Sequence, residues 1–242
     1  MKLYTSEEYI NKNPTYHVED SKFKSDNFIK ILKKNNFNSN KIKNIVDVGC
    51  GAGKILKFIK ESNLFNSNYF GYDINKSAIE IASQNSEIKF YNEDYFSSEH
   101  YKKNDLAICA DVFEHLDNEV KFLKNLLNGS KYFLFNIPLE MSLLTLLRKN
   151  LFKENFNSVG HIHFYSKYSA LLKLEYCGFN IIDKIYAKNR LLHFTKENLS
   201  LKKLLTIPPQ YIIDKFSEDI ACAIFGGYSL VVLAENPNFR QS

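Results

Sequence analysis

The sequence predicts a doubly wound α/β domain, a mostly parallel sheet with helices on both faces. Three observations carry the prediction. From Asn44 onward, short apolar runs of strand length alternate with amphipathic helical segments. A glycine cluster, Gly49, Gly51 and Gly53, stands where the first run gives way to a helical pattern. An acid, Asp73, closes the second run about twenty residues further on, where such sheets place a ligand-binding carboxylate.

In chain order, IVDVG, YFGYDI, IKFYN, DLAICA, KYFLFNI, NIIDKIY and YSLVVLAE read as strands. The helices between them are KILKFIKES, NKSAIEIASQN, the span Asn118 to Leu127, and KYSALLKLEYCGF. Before the first strand, Phe28, Ile31 and Leu32 follow helical spacing, and an Asn/Ser/Lys stretch ends that segment near Asn35. The alternation breaks twice, at Leu139 to Tyr165, which holds the leucine-rich helix candidate MSLLTLLRKNLF, and at Ala187 to Gly227. Insertions of this length serve as lids or binding loops. The expected organisation is a single domain over 1–242, with an amino-terminal segment over 1–40 and lid insertions over 139–165 and 187–227.

The chain has 242 residues, 45% of them hydrophobic, enough for one sizeable core. Its net charge of +5 comes from lysine, since Arg148, Arg190 and Arg240 are the only arginines. Those lysines are scattered among acids and asparagines rather than clustered, which argues against a nucleic-acid partner. A mild positive balance suits an anionic small molecule. Cys50, Cys109, Cys177 and Cys222 form no CxxC pair, so neither a zinc framework nor a disulfide pattern is expected, and a cytoplasmic location fits. The opening MKLYTSEEYINKNPTYHVEDS lacks the basic start and apolar run of a secretory signal. Asn136, Pro138, Glu140, Arg148 and Lys149 interrupt the most apolar stretch, so no membrane span is expected. Abundant Asn, Lys, Ile, Phe and Tyr without Trp points to an AT-rich genome.

The stretch Asp47-Val48-Gly49-Cys50-Gly51-Ala52-Gly53 is the most informative. Glycine lets the backbone turn sharply and approach a ligand whose space a side chain would fill. The spacing is GxGxG with an acid inside the strand, not the GxGxxG of nicotinamide-binding folds. It resembles the first motif of class I S-adenosylmethionine (SAM)-dependent methyltransferases. The resemblance implies a Rossmann-like seven-stranded sheet with an antiparallel last strand. It also implies SAM as cofactor, its amino-acid end surrounded by Asp47, Gly49, Gly51 and Gly53.

Asp73 can accept both ribose hydroxyls, with Ile74 beside it, though an acid there also suits a helix cap. Asp94, after the third strand, matches the family position that meets the adenine amine, and Tyr95 the residue flanking the ring. The fourth strand ends in Asp111-Val112-Phe113-Glu114-His115, which looks like the EVLEH-type motif of many class I enzymes, ubiquinone-biosynthesis O-methyltransferases among them. Asp111 joins the cofactor set on this basis. His115 could take an acceptor proton, or Asp111, Glu114 and His115 could hold a divalent cation, or Glu114 and His115 could simply tie down the next helix.

Gly160-His161-Ile162-His163-Phe164-Tyr165-Ser166 resembles a stretch of bacterial methyltransferases linked to small-molecule and surface-glycan modification. Alternation puts His161 and His163 on one side if the segment is extended, which makes both candidates for the catalytic base. NPTYHVEDSKFK resembles the cofactor-covering amino-terminal segment of the same group, with Tyr16 and Phe23 where tryptophans are frequent.

The expected function is O-methylation of a small hydroxylated acceptor, carbohydrate or anionic, such as a sugar, a sugar nucleotide or a phosphorylated glycan precursor. The alternatives are N-methylation of a small amine and a non-catalytic SAM-binding protein. A nicotinamide oxidoreductase is disfavoured by the glycine spacing. Phe152, Phe156, Leu191, Phe194 and Tyr211 in the insertions suit an acceptor or, equally, a contact between two copies.

Overall fold

The computed structural model describes residues 18–38, 42–84, 87–148, 150–188 and 201–239, with side chains in the last span from 206. Tyr16, Leu191 and Phe194 lie outside the described residues.

Seven strands form one sheet: β1 (Asn44–Val48), β2 (Asn68–Tyr72), β3 (Lys89–Tyr91), β4 (Asn104–Ala110), β5 (Ser130–Leu139), β6 (Asn180–Ala187) and β7 (Tyr228–Glu235). Their order is β3-β2-β1-β4-β5-β7-β6. β1, β2, β3, β4 and β5 pair in parallel, and β7 runs antiparallel to both β5 and β6. This is the doubly wound, Rossmann-like sheet that the sequence predicts, including its antiparallel last strand.

The strands read as continuous apolar runs because both faces are covered. On β4, Ala107 and Cys109 point into one core while Leu106 and Ile108 point into the other. On β7, Leu230 and Val232 alternate in the same way with Val231 and Leu233. One core is closed by α4 (Glu119–Leu127) and α7 (Lys167–Tyr176), the other by α1 (Ser21–Lys34) and α2 (Lys54–Glu61). Each fully buried Leu, Ile or Phe contributes about 1.5–3 kcal/mol. Pro138 sits in β5 past its last pairing with β4, between Asn136 and Ala110, so no bond of that ladder is lost to its missing N–H.

The sheet order fixes the site. From β1 the chain winds through α2, β2 and α3 (Lys76–Ser83) to β3 in one direction, while β4 leads to β5 in the other. The carboxyl ends of the adjacent strands β1 and β4 therefore face a crevice that no crossover covers, the usual ligand position in such sheets.

The first insertion differs from expectation. MSLLTLLRKNLF is two helices, α5 (Leu143–Leu146) and α6 (Leu151–Val159), not one. Ser142 starts α5 by accepting the Thr145 N–H, but Leu143 and Leu146 are exposed and only Thr145 is buried, so no core holds the helix past Leu147. The second insertion contains α8 (Leu201–Phe216) and α9 (Glu218–Phe225).

Candidate functional site

Gly49, Gly51 and Gly53 all have positive φ, which turns the chain sharply at the end of β1. A Cβ on Gly49 would lie 2.6 Å from Val112, so the β1 and β4 ends pack too closely for a side chain there. At Gly51 a Cβ would meet nothing within 4 Å, and a ligand could approach the bare backbone. The turn is tied down by hydrogen bonds from the Gly49 and Cys50 N–H groups to the Tyr72 carbonyl.

Asp73, at the end of β2, completes this turn. Its Oδ2 accepts the Gly51 N–H at 2.9 Å and its Oδ1 the Asn75 N–H at 2.8 Å. Burial raises its pKa against the pull of these backbone bonds. It does not cap α3; Asn75 does, accepting the Ala78 N–H. Ile74 beside it is exposed, an apolar side chain at the mouth of the crevice. Asp94 is also exposed, and its Oδ1 caps the turn that follows by accepting the Phe96 N–H.

Tyr95 departs from expectation. Its side chain is buried in the core, with its hydroxyl donating to the Gly129 carbonyl, so its ring faces away from any adenine. The short 3-10 turn Tyr95–Ser97 rotates it inward.

Asp47 is 1% exposed, and neither carboxylate oxygen has a hydrogen-bond partner among the described residues. Burial and the neighbouring Asp73 charge push its pKa up to about 8, against the pull of Lys24. An unpartnered buried carboxylate is costly unless a cation or donor comes to it.

Asp111 has a left-handed backbone, φ 54°, rare for a residue with a side chain. Its N–H donates to the Asn136 carbonyl, Asn136 Nδ2 donates to its Oδ1 at 2.6 Å, and Lys24 Nζ stands 2.5 Å from its Oδ2. Burial works against both charges of the pair. Each nevertheless holds the other ionised: the Asp111 pKa lies below the carboxylate range and that of Lys24 above the usual amine value. The sequence reading did not single out Lys24. Its signal was there, because Ser21, Lys24, Ser25, Phe28, Ile31 and Leu32 share one helical stripe, and Lys24 is the one charge on it.

The histidines divide. α6 ends at Gly160 with φ 80°, a left-handed cap that turns the chain back toward β4. The Ile162 and His163 N–H groups both donate to the Glu114 carbonyl, so the segment bends around that oxygen instead of running extended. His161 lies edge-on to His115, ring centres 4.6 Å apart, and its Nδ1 is 2.9 Å from Glu140 Oε2. Glu140 is held in turn by Asn155 Nδ2, 2.6 Å from its Oε1. His115 Nδ1 donates to the Gly160 carbonyl at 3.2 Å. His163 goes elsewhere: its Nε2 donates to the Leu116 carbonyl at 2.9 Å and stands 3.2 Å from Glu119, itself paired with Lys173. His163 is thus tied to the start of α4, whereas His115 and His161 face each other.

Glu114 is fully buried, and both of its oxygens lack a hydrogen-bond partner among the described residues. Burial, then the Asp111 charge, pushes its pKa well above the carboxylate range. It does not cap the next helix; Asn118 does that, accepting the Lys121 N–H. The metal-capable group is Glu114, His115 and His161, whose ligand atoms lie within 4.8 Å of one another. Asp111, expected in that group, is engaged by Lys24 and Asn136 instead.

Two cavities, of about 440 Å³ between α1, β6 and the start of α9 and about 370 Å³ beside α5 and α9, lie apart from these residues. Among the described residues no helix is long and apolar enough to cross a membrane. All four cysteines are free and buried.

A family model described as a methyltransferase domain matches residues 17–184. No curated protein matches the chain. A SAM-dependent methyltransferase from Archaeoglobus fulgidus is similar in structure, with a TM-score of 0.57, 20% identity, and coverage of 91% of this chain and 99% of its own. Another from Clostridium acetobutylicum has a TM-score of 0.55 at 16% identity, covering 89% of this chain and 92% of its own. The Haemonchus contortus phosphoethanolamine N-methyltransferase 2, in complex with SAM, has a TM-score of 0.61 at 14% identity, covering 88% of this chain and 52% of its own. At these identities the likeness is one of fold. The family match over most of the chain and the glycine crevice at β1 and β4 agree: the protein belongs to the methyltransferase-domain family and is a SAM-dependent methyltransferase.

Proposed function

We propose that the protein O-methylates a small hydroxylated acceptor, a sugar or sugar derivative being the class its polar corner suits, and that the acceptor loses its proton at the Glu114, His115, His161 corner. The observation that carries this reading is the His161–Glu140–Asn155 chain beside a buried Glu114. Bound SAM supplies a methyl group on a positively charged sulfonium, so an amine acceptor would need little help and an alcohol needs its proton removed.

The residues present fit that cofactor. Asp47 offers a buried, unpartnered carboxylate to its ammonium, Gly51 open backbone, Asp73 a carboxylate to the ribose hydroxyls, and Ile74 and Asp94 an apolar and an acidic contact to the adenine. Lys24, held by Asp111 and close enough to act on Asp47, is a cation for the cofactor's carboxylate. At the acceptor end, Glu140 fixes the tautomer and orientation of His161. The insertions over 139–165 and 187–227 are the elements that choose the acceptor, and the single domain with its amino-terminal segment over 1–40 forms the cofactor cover. A hydroxylated acceptor therefore meets a corner that can accept a proton, next to the carboxyl ends of β4 and β5.

His161→Ala is expected to slow methyl transfer by about 10²–10⁴-fold, the usual share of proton removal, with cofactor affinity unchanged. Single-turnover rates with radiolabelled SAM and a panel of hydroxylated acceptors test this, and an unchanged rate would contradict it.

Asp47 gives a second expectation. Its folded pKa of about 8 means that the carboxyl is largely protonated at pH 7 in the free protein, and an arriving ammonium favours the anion. Binding of the demethylated cofactor at pH 7 should release a proton, read by calorimetry in buffers of different ionisation enthalpy, and Asp47→Asn should abolish the release. Because that folded value lies above the unfolded one, Asp47 stabilises the free protein in acid, and this contribution is lost as pH rises through about 8. Equal heats in all buffers would contradict the assignment.

A further inference from the structure

We infer that the two adjoining cavities at the β6 edge of the sheet form a second ligand site, separate from the methyl-transfer crevice. It takes a phosphate monoester with an apolar aryl or alkyl body, the phosphate among the lysines of the first cavity and the body in the second. Three features support it.

The first is a convergence of charge. β6 is the last strand of the sheet and pairs with β7 alone. Around its outer edge, the cavity of about 440 Å³ collects Lys30 and Lys34 from α1, Lys167 from the start of α7 and Lys184 from β6 itself. α1 packs on one core and α7 on the other, so cations from both faces of the sheet meet here. The nearby acids are already engaged: Lys167 Nζ lies 2.5 Å from Asp219, Lys188 Nζ 2.7 Å from Glu218 and Lys34 Nζ 2.9 Å from Asp183. Lys30 and Lys184 have no acid within ion-pair distance among the described residues. Lysine binds phosphate as a point charge, and two lysines without a carboxylate at one cavity suit a dianion.

The second is a wall common to both cavities. Lys167, Tyr186 and Asp219 line the basic cavity and also the groove of about 370 Å³ beside it. Asp219 Oδ1 accepts from the Tyr186 hydroxyl at 2.6 Å and from Lys167 at 2.5 Å, and Lys167 Nζ stands 5.4 Å from the centre of the Tyr186 ring. These contacts fix the wall before any ligand arrives, which lowers the ordering cost of binding.

The third is the lining of the groove. Met141, Leu143, Leu146, Tyr168 and Ala223 bound it. Leu143, Leu146 and Tyr168 are 51%, 58% and 73% exposed. Large apolar side chains left exposed around a concavity mark a binding surface, and a space of a few hundred Å³ suits a small organic molecule. A polar, lysine-lined end and an apolar end that share one wall match a ligand with the same two halves. The groove lies between α5 of the first insertion and α9 of the second, so its occupant bridges both insertions.

Fluorescence titration of the full-length chain with 1-naphthyl phosphate tests the proposal, since the chain has no Trp to overlap the probe. The expected result is saturation at one probe per chain. Inorganic phosphate and 1-naphthol should each bind at least about 10-fold more weakly, because each keeps only half of the contacts. The double variant Lys30→Glu/Lys184→Glu should weaken the probe at least about 10-fold. Ala223→Phe, which fills the groove from an exposed position, should do the same. The same charge reversal in Lys89→Glu/Lys103→Glu, at exposed lysines in β3 and just before β4, should leave binding unchanged. Failure to saturate, equal losses in the two double variants, or inorganic phosphate binding as tightly as the probe would overturn the site. S-adenosylhomocysteine should bind Lys30→Glu/Lys184→Glu as it binds the parent, and a joint loss of both ligands would contradict a separate site. Normal S-adenosylhomocysteine affinity with no probe site discards this inference and keeps the methyltransferase reading.

Discussion

Asp73→Ala is expected to weaken SAM binding by at least about 100-fold while leaving a folded protein. A carboxylate that accepts two ribose hydroxyls makes two charge-assisted hydrogen bonds, each worth about 1.5–3 kcal/mol, and truncation removes both. The same carboxylate positions the glycine turn, since its Oδ2 accepts the Gly51 N–H and its Oδ1 the Asn75 N–H. Loss of these ties adds disorder to the cofactor's seat, so the effect should exceed that of the ribose contacts alone. Far-ultraviolet circular dichroism establishes folding, and calorimetric titration reads the affinity. Normal affinity in the folded variant would remove Asp73 from the cofactor site.

Lys24→Met should destabilise the protein strongly. The Lys24–Asp111 pair is mostly shielded, with side-chain exposures of 13% and 26%, and removing one partner leaves an uncompensated buried charge. Such losses run to about 3–5 kcal/mol. Asp111 also sits in a left-handed conformation that its partners hold in place, so the end of β4 should loosen with it. Adding Asp111→Asn to Lys24→Met should restore much of the stability, because the stranded charge is then gone. Urea denaturation of the two single variants and the double variant forms a thermodynamic cycle. A Lys24→Met protein within about 0.5 kcal/mol of the parent, the range of an ordinary surface change, would show that the pair contributes little.

Much of the fold could be read locally. Continuous apolar runs, helical spacing and a glycine turn are short-range signals, and they place β1 through β7 and most helices within a residue or two. The GxGxG turn and Asp73 were equally plain, because their chemistry follows from a strand end and the backbone beyond it. What sequence could not supply were partners brought together across the sheet. Glu140 gains its role only because Gly160 turns His161 back onto it, over 21 positions of chain. His161 and His163 looked equivalent by alternation, and the two N–H groups gripping the Glu114 carbonyl are what send them to different partners. Asp111 looked like a cation ligand until α1 brought Lys24 to it. Tyr95 looked like a ring neighbour until its turn carried it into the core.

The most direct test of the account is calorimetric titration of the purified full-length chain with SAM, its demethylated product and NADH. The account predicts a single site per chain, with micromolar-range affinity for SAM and its product and no heat with NADH. Binding of NADH in place of SAM, or silence with all three, would contradict it.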